Sequence, residues 1–147
     1  MLFQLTYIST INGHYKRDVY RDIAHDAHQY NSSIGATGIL LIYNDTIIQI
    51  LEGNKAEIIK LYAKIKKDTR HKGVLCLNQK NIETREFSNW TMGFKDFNAL
   101  EGKDYMFSLK PLILKDKIPA QLNLETATLI KTFKKSSGLD IFQNISP

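Results

Sequence analysis

The chain has a single cysteine, Cys76, among 147 residues. One thiol excludes a disulfide framework and suits a reducing cytoplasm. No apolar stretch approaches the roughly 18 residues a membrane-spanning helix needs. The N-terminal MLFQLTYIST lacks a basic region ahead of a long apolar run, so no secretory signal is expected. Internal repeats and low-complexity tracts are absent. Charge is not concentrated either. The net charge is +5, with 13 Lys/Arg against 10 Asp/Glu up to Asn98 and 7 against 5 beyond it. A diffuse excess of this size is weak evidence for nucleic-acid binding and fits a solvated surface. Apolar residues make up 43% of the chain, which excludes a disordered polypeptide. The length suits one domain with a small appendage and a real core.

Alternation of side chains predicts a first strand over 2–9, with Phe3, Leu5, Tyr7 and Ser9 on one face. A helix over 16–31 follows from Tyr20, Ile23, Ala24, Ala27 and Asn31 at spacings of three and four, with NSSIG as its break. TGILLIY (37–43) and TIIQILEG (46–53) form a hairpin about Asn44-Asp45. Asn54 with Glu57 resembles a capping box. The helix it opens carries Ile58, Leu61, Tyr62 and Ile65 and runs to about Asp68. VLCLNQK (74–80) and SNWTMGF (88–94) complete the strands. The order β-α-β-β-α-β-β predicts an α+β, ferredoxin-like sheet with two helices on one face and one added strand. Strands one and three are expected side by side and parallel at its centre. The domain is expected over 1–97. Residues 98–147, punctuated by Pro111 and Pro119, are expected to form a helical extension covering the open face.

Polar residues interrupt the apolar faces. Gln49 sits between Ile47 and Leu51, and a buried amide without partners costs about 1–3 kcal/mol. Tyr7, Ser9 and Asn31 also point at the expected helix–sheet interface. Each alone has an ordinary structural reading: a hydroxyl tied to a carbonyl, a helix cap, an edge position. Together they predict a polar lining for a ligand held between the helices. Lys64, Asp68, Arg70 and His71 follow at the mouth, where basic groups suit a phosphate. A flat aromatic ligand with carbonyl and N–H edges and a phosphate tail accounts for the whole set.

The blocks LTYIS, YNSSIGATGILL, IIQILEG, KDTRHKGV and FSNWTMGF, in that order and spacing, resemble the BLUF domains, blue-light sensors that use flavin. The resemblance runs from about Leu2 to Phe97. It implies FAD as cofactor and a photochemical rather than enzymatic function. It implies Tyr7 as electron and proton donor to the excited flavin, and Gln49 as the amide between that tyrosine and flavin N5/O4. Asn31 is implied at the O4/N3 edge of the ring. Ser9, Ile23, Leu40, Lys64, Asp68, Arg70 and His71 are implied as further cofactor-binding positions, the last four toward the ribityl and phosphate end. Trp90 and Met92 are implied as the signal relay. The chain departs from the common pattern at Ser32-Ser33-Ile34 and at Ile48, where a phenylalanine is frequent. No output domain is recognisable. The expected output is therefore a light-dependent contact with a protein partner such as a transcription regulator, and the chain is also a candidate homo-oligomer.

The rival reading is a ferredoxin-like nucleic-acid-binding module. That would place aromatics on the exposed sheet face with a basic-aromatic strand signature, which the sequence lacks. A ferredoxin-like hydrolase would need a phosphate-cradling loop, and Gly35 and Gly38 do not make one. His25 and His28 fall off the buried stripe without a third metal ligand. Cys76 in a strand reads as a small core residue.

Overall fold

The structure, a computed structural model, describes residues 1–13, 19–43, 45–88, 93–96, 126 and 128. The elements are β1 (Leu2–Ile11), α1 (Val19–Ile34), β2 (Thr37–Tyr43), β3 (Thr46–Asn54), α2 (Lys55–Lys67), β4 (His71–Asn81) and β5 (Gly93–Asp96). They appear in the expected order and build one five-stranded sheet, β4-β1-β3-β2-β5. Among the first four strands every hydrogen-bonded neighbour is antiparallel, and β5 adds to β2 in parallel.

One expectation is corrected. β1 and β3 do lie side by side at the centre, but they run antiparallel. The crossovers explain this. α1 joins β1 to β2 and α2 joins β3 to β4, and in each case the joined strands are parallel with one strand left between them. The strand filling each gap runs the other way. The antiparallel register sets Tyr7 directly opposite Gln49, with Leu5 opposite Leu51 and Ser9 opposite Ile47. Opposed residues share a face, so the two polar side chains meet on the side of the helices.

α1 also differs from its expected span. It continues through Asn31, Ser32 and Ser33 to Ile34. These residues favour caps and turns in sequence, yet the stop is Gly35, at φ 66°. Two bonds close the end: Ala36 N–H to the Asn31 carbonyl at 2.9 Å and Gly35 N–H to the Ser32 carbonyl at 3.4 Å. This is a Schellman ending, which needs a left-handed residue at that point. Asn31 is therefore in the last turn rather than the cap, and its side chain is left for another purpose. α2 begins as expected. The Asn54 side chain accepts from Ala56 N at 3.0 Å and Glu57 N at 3.4 Å. Glu57 bonds Lys60 at 3.2 Å.

Phe3, Leu5, Leu40, Ile42, Ile47 and Leu51 from the sheet pack against Ile23 and Ala24 of α1 and Ile58 and Leu61 of α2. A Cβ at Gly38 would lie 1.9 Å from the Ile50 carbonyl oxygen, so β2 approaches β3 closely there only because that residue is glycine. The second face of the sheet is also buried, at Ile39, Leu41, Ile48, Ile50 and Glu52. The Glu52 carboxylate is fully buried and organises that face. It accepts from Gln4 Nε2 at 3.0 Å, Glu86 N at 2.9 Å, Phe87 N at 3.0 Å and Thr37 Oγ1 at 3.3 Å. Glu86 in turn accepts from Thr126 Oγ1 at 3.1 Å, and Thr126 is helical and buried. Apart from Thr126 and Thr128, the expected helical extension lies outside the described residues. Among the described residues, no helix is long and apolar enough to cross a membrane.

Candidate functional site

A slot opens between α1, α2 and the sheet. Its inner wall is made by Tyr7, Asn31, Gln49 and Ile23, with Leu61 and Ile65 from α2. Asp26, Ala27 and Tyr30 of α1 line it further, with Lys64, Asp68, Arg70 and His71. Strand alternation aims Tyr7 and Gln49 at the slot, and the 3.6-residue repeat of α1 puts Ile23, Asp26, Ala27 and Asn31 along it.

The Tyr7 hydroxyl donates to Gln49 Oε1 at 2.5 Å, and both residues are buried. Burial holds the Tyr7 phenol well above its ordinary pKa, and the nearby Asp68 carboxylate and Tyr62 push in the same direction. The phenol thus keeps its proton in the resting protein. Tyr62 tilts against the Tyr7 ring with centroids 5.8 Å apart, and His71 meets it edge-on at 6.3 Å.

Asn31 is 1% exposed, and neither its Oδ1 nor its Nδ2 has a partner among the described residues. An amide buried in this state lacks the bonds that buried polar groups almost always make. It presents one acceptor and one donor group to the slot.

The outer end carries charge. Arg70 forks onto Asp68, with Nη2 to Oδ2 at 2.7 Å and Nε to Oδ1 at 3.0 Å. Its Nη1 reaches Asp26 Oδ2 on α1 at 2.8 Å. Burial would raise the Asp68 carboxyl, but its bonds to Arg70 outweigh that and hold it below the usual carboxylate range. Those bonds to Asp68 raise the Arg70 guanidinium, as does Asp26. Lys64 Nζ stacks 4.0 Å from the Tyr30 ring centroid. His71 is not at the surface. It is 8% exposed, with Nδ1 2.8 Å from Ser9 Oγ, and burial lowers its pKa.

The chain matches the model of the BLUF family, sensors of blue-light using FAD, over residues 2–93. It is a BLUF protein. Euglena longa photoactivated adenylate cyclase subunit beta is 35% identical over 92 residues, covering 62% of this chain and 11% of that protein. The chain therefore spans about a tenth of the length of that curated relative. The photo-activated state of BlsA superposes with a TM-score of 0.64 at 25% identity, covering 93% of this chain and 94% of that one. Klebsiella pneumoniae BlrP1 with FMN and cyclic diGMP gives 0.63 at 30% identity, over 69% of this chain and 27% of that one.

BLUF domains bind a flavin, and the slot fits one. The pyrimidine edge of a flavin ring offers alternating carbonyl and N–H groups, the complement of the unpartnered Asn31 amide. Tyr7, Asn31, Gln49, Ile23, Lys64, Asp68, Arg70 and His71, all implied from sequence, are brought together along the slot. Ser9 touches it only through His71. Leu40, opposite Gln49 in the β2–β3 register, is fully buried in the core and does not line the slot. Trp90 and Met92 lie outside the described residues. Sequence reasoning passed over Asp26 and Tyr30. Asp26 lies five residues, and Tyr30 one, before Asn31, and each reads alone as an ordinary surface position.

Proposed function

We propose that the chain is a blue-light photoreceptor that holds FAD in the slot and uses Tyr7 and Gln49 as its photochemical pair. The observation that carries the reading is the Tyr7–Gln49 hydrogen bond in the same slot as the unpartnered Asn31 amide. When bound, a flavin supplies an oxidant under blue light that can take an electron from an adjacent phenol. The remaining steps belong to the chain. Tyr7 is neutral before light, because burial disfavours the phenolate. On losing an electron a phenol becomes a far stronger acid, and its proton already points at Gln49 Oε1. A primary amide can pass that proton on, since it joins one acceptor and two donor hydrogens in one rotatable group. A glutamate would bring charge, and a leucine would break the path. Once the electron and the proton have returned to Tyr7, the Gln49 amide would be left rotated or tautomerised, with altered hydrogen bonds toward a bound flavin, whose absorption would then lie further to the red.

Asn31 holds the polar edge of the ring in this reading, Ile23 and Leu61 its faces, and Arg70 and Lys64 the phosphate end. FAD is supported by the family description, and the bound FMN of BlrP1 makes FMN the second candidate. The chain itself is read as a sensor rather than an enzyme. Residues 1–97 are proposed as the sensor domain and 98–147 as the extension that carries the signal, through Trp90 and Met92, to a protein partner such as a transcription regulator. The single cysteine supports a cytoplasmic setting. The test is the absorption spectrum of the purified chain, loaded with FAD, before and after blue light. A yellow protein whose band shifts red and recovers in the dark is expected. A preparation that stays colourless with added flavin would return the rival nucleic-acid reading to first place.

A further inference from the structure

The slot has a buried end and a wet end. Tyr7, Asn31 and Gln49 are each 3% exposed or less, whereas the Asp26 side chain is 57% exposed and that of Arg70 23%. A flavin ring seated against Asn31 therefore sends its side chain toward Arg70. This step rests on the flavin reading above.

Each nitrogen of the Arg70 guanidinium already donates to a carboxylate. Asp68 holds its Nε and Nη2 edge and also accepts from the Arg70 backbone N–H at 3.0 Å, so this carboxylate is a local clamp that orients the guanidinium. Asp26 is different in kind. It reaches across from α1 and takes Nη1 at 2.8 Å. It lies on the solvated rim, and it closes the mouth by pairing with the arginine edge that Asp68 leaves over. A phosphate arriving at Arg70 must displace the Asp26 carboxylate or bind beside it against like-charge repulsion. Riboflavin has the same ring and no phosphate, so it meets neither obstacle.

We propose that Asp26 is a specificity-determining residue that competes with the flavin phosphate for Arg70 Nη1 and so narrows the preference for phosphorylated over unphosphorylated flavin. FMN adds a phosphate monoester of about −1.5 to −2 charge at neutral pH. Removing one carboxylate charge a few ångströms away, through a solvated mouth, corresponds to about three- to tenfold in affinity at low salt. The contribution fades as the Debye length shortens.

The experiment measures dissociation constants of riboflavin, FMN and FAD for the wild-type chain, Asp26→Asn and Arg70→Gln by flavin fluorescence, at low and high salt. Asp26→Asn is expected to tighten FMN and FAD about three- to tenfold at low salt, with riboflavin essentially unmoved. Arg70→Gln is expected to remove most of the difference between FMN and riboflavin. An unchanged FMN-to-riboflavin ratio in Asp26→Asn overturns the proposal. So does equal weakening of all three, which would make Asp26 a contact to the ribityl chain. If the wild-type chain binds riboflavin and the ratio does not respond, the flavin reading stands and this inference alone fails. If it binds none of the three, both fail.

Discussion

Replacing Asn31 with leucine separates a binding residue from a packing residue by the sign of its effect on stability. Leucine has the same side-chain heavy-atom count and branching as asparagine, and the site faces an open slot, so overpacking is small. Among the described residues the Asn31 Oδ1 and Nδ2 are buried without partners, each a penalty of about 1–3 kcal/mol in a dry site. Water entering the slot from its open end reduces that, so the lower figure applies. Removing the amide should therefore stabilise the apoprotein by about 1–2 kcal/mol. For a chain of this length that is a rise of roughly 3–6 °C in the thermal midpoint. With flavin present the order reverses. The wild type gains two ring bonds and the variant none, so flavin affinity should fall about 10- to 100-fold. Thermal unfolding with and without added FAD reads both effects in one experiment. An apo variant less stable than wild type, with flavin affinity unchanged, would refute the reasoning and make Asn31 a structural residue.

Three further outcomes follow from the geometry. Glu52→Ala removes the acceptor of two backbone N–H groups and the Gln4 amide, and should cost about 2–5 kcal/mol as a lowered urea midpoint at constant m. Glu52→Gln, which keeps one oxygen, should cost less. His71 has its pKa depressed by burial, so the unfolded chain takes up the proton first. Its contribution is complete above about pH 6.5 and is lost as pH falls below that, and His71→Gln should flatten this part of the stability profile. Asp68, held low by Arg70, loses its contribution only below about pH 4, so the acid limb should remain. Tyr7→Phe should keep the yellow colour and abolish the photocycle, measured as the light-minus-dark difference spectrum.

The alternation of β1 and the apolar runs of β2 and β3 are legible in sequence, and so is the start of α2 from its Asn54 cap. The coincidence of Tyr7, Gln49 and Asn31 is also visible, because each breaks an apolar periodicity. Less visible is anything decided by tertiary geometry. The direction of β3 against β1 follows from how two crossovers share one sheet and leaves no local trace. The end of α1 is set by the φ of Gly35 and overrides the turn-forming composition of Asn31-Ser32-Ser33. His71 reads as one more basic residue beside Arg70, yet strand geometry turns it inward to Ser9. Asp26 and Arg70 are 44 residues apart, and their pairing appears only once α1 is laid along the slot. Glu52 reads as the end of a strand beside glycine. Its burial comes from the second face of the sheet, which alternation from Gln49 identifies but cannot fill.

The central claim is that the Tyr7–Gln49 bond is the element that light rearranges. Its most direct test is the difference spectrum of Gln49→Leu loaded with flavin. The variant should bind flavin and stay yellow, because Asn31 and the apolar walls remain, and should show no light-induced red shift. A normal red shift in that variant would contradict the account.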